Sequence, residues 1–93
     1  MELGAENAAA TSGAGALTVL GAIWGSNGQG ANVTVWCQEA VDRGDREIVI
    51  SSDQLGPDPD PQVVKHFCIA WTAKGTTYYR GGKDFERIVL VGG

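Results

Sequence analysis

The stretch Val63-Val64-Lys65-His66-Phe67-Cys68-Ile69-Ala70-Trp71-Thr72-Ala73 alternates large apolar side chains with small or polar ones. Phe67, Ile69 and Trp71 fall on one side; His66, Cys68, Ala70 and Thr72 fall on the other. A period of two is what a strand with one buried face requires, because successive Cβ atoms point to opposite sides. Lys74-Gly75 then supplies a turn, with Gly75 free to take a positive φ. Thr76-Thr77-Tyr78-Tyr79-Arg80, β-branched and aromatic, reads as the return strand. After Gly81-Gly82-Lys83-Asp84, the run Arg87-Ile88-Val89-Leu90-Val91 makes a third. Three strands with short connections read as an antiparallel meander on which the rest of the chain packs.

Moving toward the N-terminus, Ser52 to Gln62 is irregular and stiff, because its three prolines forbid a ladder. Arg46-Glu47-Ile48-Val49-Ile50-Ser51 before it is a strand with Ile48 and Ile50 on one face. Val33, Trp36, Cys37, Ala40 and Val41 line one face of a short helix, with Thr34 placed to cap it and Gly44 placed to end it. A strand over Val33 to Val41 is the competing reading, since Val-Thr-Val-Trp-Cys also suits a sheet. Gly25 to Gly30 reads as a polar loop, and the apolar run Leu17 to Trp24 before it as a first strand. Residues 1–15 read as a flexible Ala/Gly-rich arm, and residues 16–93 as a single β-rich domain. The expected fold class is therefore mainly β: a compact, antiparallel, β-sandwich-like domain of about five strands with one short helix, Thr34 to Arg43.

A length of 93 residues leaves room for one core and no more. Fourteen glycines favour many turns and short strands over long helices. The net charge of −4 and the scattering of the seven Lys and Arg residues argue against nucleic acid and against a membrane surface. No apolar run approaches the ~18–20 residues of a spanning helix. The start, Met1-Glu2-Leu3-Gly4-Ala5-Glu6, lacks the basic region of a signal peptide, which favours the cytoplasm. Cys37 and Cys68 are compatible with one disulfide or with two free thiols, and the free thiols fit a reducing compartment better.

Candidate chemistry is sparse. The Gly-rich segment Gly25 to Gly30 is followed by Ala31-Asn32-Val33, without the Lys and Ser/Thr of a phosphate loop. His66, the single histidine, could be drawn into a hydrolytic site with Ser51 or Ser52 and Asp53, Asp58 or Asp60, or into a thiol site with Cys37 or Cys68. No nucleophile elbow surrounds any serine, and a lone histidine on a strand is usually structural. Asp53, Asp58 and Asp60 are weak candidates for a metal, because alternating prolines hold the last two in an extended chain. Cys37, Cys68 and His66 lack zinc-site spacing. No cofactor is expected. Tyr78 and Tyr79 are adjacent on a strand, so one must point away from whatever the other faces. With Arg80, Thr76 and His66 nearby, an exposed tyrosine suits stacking on a sugar or docking of a protein. Trp24, Trp36, Phe67, Trp71 and Phe85 are the expected aromatic core.

The order of segments resembles a known family. Trp24-Gly25, then Asn32-Val33-Thr34, a short helix, Leu55-Gly56, Asp58-Pro59-x-Pro61, and finally Val64-Lys65-x-Phe67-x-Ile69-x-Trp71 are similar to the small domain of unknown function at the C-terminus of certain DnaJ-like (J-domain) proteins, also found as stand-alone fungal and bacterial chains. The likeness spans roughly residues 20–91. It implies a compact β-rich domain with no assigned active site. No J-domain His-Pro-Asp signature occurs in the chain, so co-chaperone activity is not implied.

The expected function is a small non-enzymatic binding or interaction module of unknown ligand, with a protein or a glycan as the possible partner. Carbohydrate binding of a lectin-like kind is the alternative, and a hydrolase centred on His66 stands behind both. The expected ligand-binding residues are Tyr78, Tyr79, Arg80 and His66. A homodimer is compatible with edge strands at Arg46 to Ser51 or Arg87 to Val91.

Overall fold

A computed structural model describes residues 17–92, so the predicted arm over residues 1–15 lies outside the described residues. Among these are six strands and two short helices: β1 (Leu17–Ser26), β2 (Gln29–Asn32), α1 (Thr34–Asp42), β3 (Glu47–Val49), α2 (Ser52–Leu55), β4 (His66–Ala73), β5 (Thr76–Lys83) and β6 (Arg87–Val89). Four strands form an antiparallel sheet in the order β2-β1-β4-β5, while β3 and β6 pair in a separate two-stranded ribbon. The mainly-β, antiparallel expectation holds.

The alternation in β4 decides the layering. Phe67, Ile69, Trp71 and Ala73 are buried beside Leu17, Val19, Ala22 and Trp24 of β1, and together they make the inner face of the sheet. Onto that face pack α1, through Cys37, Ala40 and Val41, and the ribbon, through Ile48 and Ile88. The outer face carries no described element. Lys74 and Gly75, both at positive φ, form the two-residue turn between β4 and β5, with a twist that matches the flanking strands.

Several boundaries differ from the sequence reading, each for a local reason. Gly25 to Gly30 is not a loop: Gly25 and Ser26 stay in β1 and pair with Gly30 and Gln29 across an Asn27-Gly28 turn. The Asn-Gly pair was the hairpin signal there. Gly81 and Gly82 continue β5 rather than ending it, pairing with Cys68 and Phe67. The expected meander stops at Phe85, whose φ of 74° turns the chain away so that β6 pairs with β3 instead of β5. Arg46 to Ser51 and Arg87 to Val91 pair with each other, Ile48 opposite Ile88, so each keeps one outer edge and the paired strand in each is three residues long. Phe85 itself is 81% exposed and Trp36 is 44% exposed, so neither belongs to the core. Trp36 instead lies against Gly56, where a Cβ would sit 2.5 Å from the indole.

Thr34 is the first helical residue, not the cap. Its N–H and hydroxyl both donate to Asn32 Oδ1, at 3.0 and 2.6 Å. Its Oγ1 accepts from the Ala22 N–H at 3.0 Å. At the other end Gly44 and Asp45 donate to the carbonyls of Val41 and Ala40, the paired bonds of a Schellman close. The helix also seals a strand edge. Because β2 pairs only with the second half of β1, the Leu17–Ala22 edge would be open. Gln38 fills it, accepting from the Val19 N–H at 2.7 Å and donating to the Leu17 carbonyl at 3.2 Å.

Beneath the sheet one charged cluster is buried. Lys65, 1% exposed, places Nζ 2.9 Å from Asp84 and 3.1 Å from Asp58, and it donates to the carbonyls of Asp60 and Val63. Asp84 also accepts from the Lys65 N–H at 2.9 Å and from Trp24 Nε1 at 2.8 Å. Lys65 Nζ lies 5.3 Å from the centroid of the Trp24 ring, so the ammonium has no unmet donor and rests partly on a π-face. Burial pushes the Lys65 ammonium down, but the hydrogen bonds it donates to Asp84 and Asp58, with their charge, outweigh it and hold the group above its ordinary value. Burial pushes Asp84 up, and its bonds to Lys65 and Trp24 outweigh that and hold the carboxyl below its ordinary value. The cluster fastens the proline-rich loop and the β5–β6 corner to the start of β4.

Candidate functional site

The outer face of the sheet is the candidate site, and a bulge in β1 builds it. Val19 pairs with Trp71 and Gly21 pairs with Ala70, leaving Leu20 as an extra residue. A bulge re-aims side chains locally. Here it puts Leu20 on the outer face with Ile23, two exposed branched aliphatics where alternation would have allowed polar groups. Opposite them stand Cys68 and Ala70 of β4, then Gly81 and Tyr79 of β5 in register. Small residues at Gly21, Ala70 and Gly81 form the floor, and Leu20, Ile23 and Tyr79 form the walls of an open trough of about 530 Å³. Tyr79 is 71% exposed. At the rim the polar side chains of Asn32 and Thr34 are engaged with each other.

The two adjacent tyrosines divide as expected. Tyr78 faces inward and stacks on Trp71, with centroids 5.5 Å apart and planes at 20°, whereas Tyr79 faces out. Tyr78 is therefore a core-side residue and does not line the trough. Arg80 curls around the sheet edge: its guanidinium lies 5.9 Å from the Trp71 centroid and donates to the Tyr79 carbonyl at 2.8 Å. His66 is exposed on the same outer face but opposite Gly25 and Lys83, four residues along β4 from Ala70, or ~13 Å at strand rise. It does not line the trough.

The structure does not bring the other candidates together. Asp58 is bound to Lys65 and to the Asp60 N–H, Asp60 accepts from Ser26 at 2.6 Å, and Asp53 sits in the first turn of α2. Among the described residues no cluster of three His, Cys, Asp or Glu side chains could hold a metal. Ser51 and Ser52 lie at the start of α2, while His66 faces Gly25 and Lys83 across the sheet. Cys37 and Cys68 are both free thiols, so the disulfide allowed by the sequence is not formed. The reason is geometric: Cys37 is buried under the inner face and Cys68 is exposed on the outer one. Burial pushes the Cys37 thiol up to about 12, which makes it inert. No helix among the described residues is long and apolar enough to cross a membrane.

The charges are unevenly placed. Arg43 pairs with Asp45, Arg87 with Glu47, and Lys65 with Asp84 and Asp58. Arg46 is held by the carbonyls of Val41 and Asp45. Lys74, Arg80 and Lys83 make no ion pair among the described residues, and all three lie on the β4–β5 hairpin and its free edge. What the sequence reading missed was Leu20 and Ile23. The only available signal was Gly21 interrupting an apolar run, a mark of a bulge. No protein-family profile, curated protein or solved structure matches the chain.

Proposed function

We propose that this domain is a non-enzymatic interaction module that docks a partner protein on the outer face of its four-stranded sheet. The observation that carries this reading is the trough itself. A sheet face with outward Leu20, Ile23 and Tyr79, and with no described element covering it, matches the exposed apolar patches that mark interaction sites. Tyr79 supplies a rigid aromatic anchor of the kind enriched in such sites. Protein is favoured over sugar because a sugar ring needs free hydrogen-bonding groups around the stacked aromatic, and the polar residues lining the trough are engaged within the chain: Thr34 with Asn32 and the Ala22 N–H, Arg80 with the Tyr79 carbonyl. The proposed kinship with the C-terminal domain of J-domain proteins carries the same expectation of a β-rich domain without an assigned active site.

The test is a screen of the full chain against displayed random peptides, and against monosaccharides by thermal shift. The expected outcome is a set of peptide binders whose affinity falls at least about tenfold in Leu20→Ser/Ile23→Ser, both outward-facing positions. A sugar-dependent rise in Tm that vanishes in Tyr79→Ala would overturn the reading in favour of carbohydrate binding. Peptide binders indifferent to Leu20 and Ile23 would overturn it as well.

A further inference from the structure

Resting on that docking face, we infer how the partner is held: an extended segment of alternating apolar and acidic residues adds to the sheet as a strand along the free edge of β5. The geometry of the hairpin decides which backbone groups are available. In an antiparallel pair closed by a two-residue turn, the residues flanking the turn exchange both hydrogen bonds, and the bonded pairs then alternate. Ala73 and Thr76 flank the turn, so Thr76, Tyr78, Arg80 and Gly82 bond to β4. The bond from Asp84 N–H to the Lys65 carbonyl, 3.0 Å, continues that series. Thr77, Tyr79, Gly81 and Lys83 therefore point their N–H and C=O groups away from the sheet. Lys83 N–H accordingly donates to a side chain, Glu86 Oε1, at 2.9 Å. The edge is eight residues long and contains no proline and no carboxylate.

The other edges are occupied or short: Gln38 and Thr34 occupy the open half of β1, β2 is four residues long, and β3 and β6 are three residues each. Only β5 combines length with unmet backbone groups among the described residues. Such an edge is a template for strand addition.

Register then sets the chemistry of the occupant. Residues opposite Thr77, Tyr79 and Gly81 would place their side chains on the outer face, extending the apolar trough past Tyr79. Residues between them would point to the other side, beside Arg80. Apolar residues suit the first set and carboxylates suit the second. The charge distribution agrees: Lys74, Arg80 and Lys83 lie on this hairpin with no side-chain ion pair among the described residues, the Glu86 carboxylate being taken up by the Lys83 N–H, in a chain of net charge −4. A docked strand displaces the Arg80 guanidinium from the Tyr79 carbonyl and offers it a carboxylate in return.

The probe is a synthetic peptide of alternating valine and glutamate, about as long as β5, titrated into the full chain and followed by amide NMR and hydrogen exchange. Binding is expected to protect the amides of Thr77, Tyr79 and Gly81, to weaken with salt, and to fall at least about tenfold in Arg80→Glu. N-methylation of the valines, whose N–H groups face β5, is expected to abolish binding, while N-methylation of the glutamates leaves it. Shifts confined to Leu20 and Ile23 and indifferent to valine methylation would overturn strand addition and leave the docking face standing. Equal binding by a valine–lysine peptide would overturn the acidic partner. Concentration-dependent protection of the same amides without peptide would assign the edge to a second copy of the chain and overturn a foreign one. No binding and no self-association would overturn the inference outright. The amide readout on the unmodified chain holds whatever Arg80→Glu does to the fold.

Discussion

Replacing Lys65 with methionine would strip the one buried ammonium from between two carboxylates while keeping most of the volume of its stem. Lys65 is 1% exposed, and the variant would leave Asp84, itself nearly buried, charged beside only neutral donors. Asp84 would keep the bonds from the Lys65 backbone N–H and from Trp24 Nε1, but would lose the contact at 2.9 Å to Nζ. The carbonyls of Asp60 and Val63 would lose their donor too. Removing one partner of a buried ion pair typically costs about 3–5 kcal/mol, a large share of the ~5–10 kcal/mol that holds a domain of this size. Urea unfolding followed by tryptophan fluorescence reads the loss directly, since Trp24 sits in the cluster. The double variant Lys65→Met/Asp84→Asn should lose less than the two single losses added together, by at least ~1 kcal/mol, because the stranded charge is gone. The pH dependence follows from the directions of the shifts. Asp84 is held below its ordinary value of 3.8, so its stabilisation is complete above that value and is lost as acid protonates the folded carboxyl. Lys65 is held above 10.5, so its stabilisation is complete below that value and is lost in strong base. In Lys65→Met the acid limb should move to higher pH. A loss under about 1 kcal/mol with an unmoved acid limb would refute the account of the cluster.

Other outcomes follow from the packing. Trp71→Ala removes a fully buried indole that stacks on Tyr78 and donates to the Val91 carbonyl, and should cost about 3–5 kcal/mol in the same assay; a loss below ~1 kcal/mol would mean that the inner face of β4 is misassigned. Gln38→Ala should cost roughly 1–2 kcal/mol and raise amide exchange at Val19 in particular, because its side chain stands in for a missing strand. Cys68 should react with a maleimide in the folded protein, while Cys37, buried and pushed up to about 12, should react only after unfolding.

Much of the fold was legible because it rests on period and turn chemistry. Alternation in His66 to Ala73 assigned the two faces of β4, and the helical spacing of Val33, Cys37, Ala40 and Val41 placed α1 under the sheet. The third strand was misplaced because its partner depends on where the chain goes after Asp84, and that is decided by a carboxylate bonded to Lys65 and Trp24, not by any local propensity. Trp36 looked like core on helical spacing, but its place against Gly56 depends on how the loop after α2 returns. At the site, the split between Tyr78 and Tyr79 followed from adjacency alone. Leu20 could not be assigned to a face, since one inserted residue inverts the parity of everything before it. His66 was grouped with Tyr79 by composition, though four residues of strand separate their rows.

The covering of β1 by Gln38 and Thr34 also has meaning while the chain is being made. Gly25 of β1 pairs with His66, so the strand's principal partner leaves the ribosome only after the whole middle of the chain has followed. At ~5–20 residues per second, the apolar row Leu17, Val19, Ala22 and Trp24 waits a few seconds without β4. The Asn27-Gly28 hairpin and the helix after it emerge next, and they carry the groups that occupy the open side of β1. The residues translated directly behind the strand thus close one of its two edges, while the edge that takes β4 stays open until His66 to Ala73 follows.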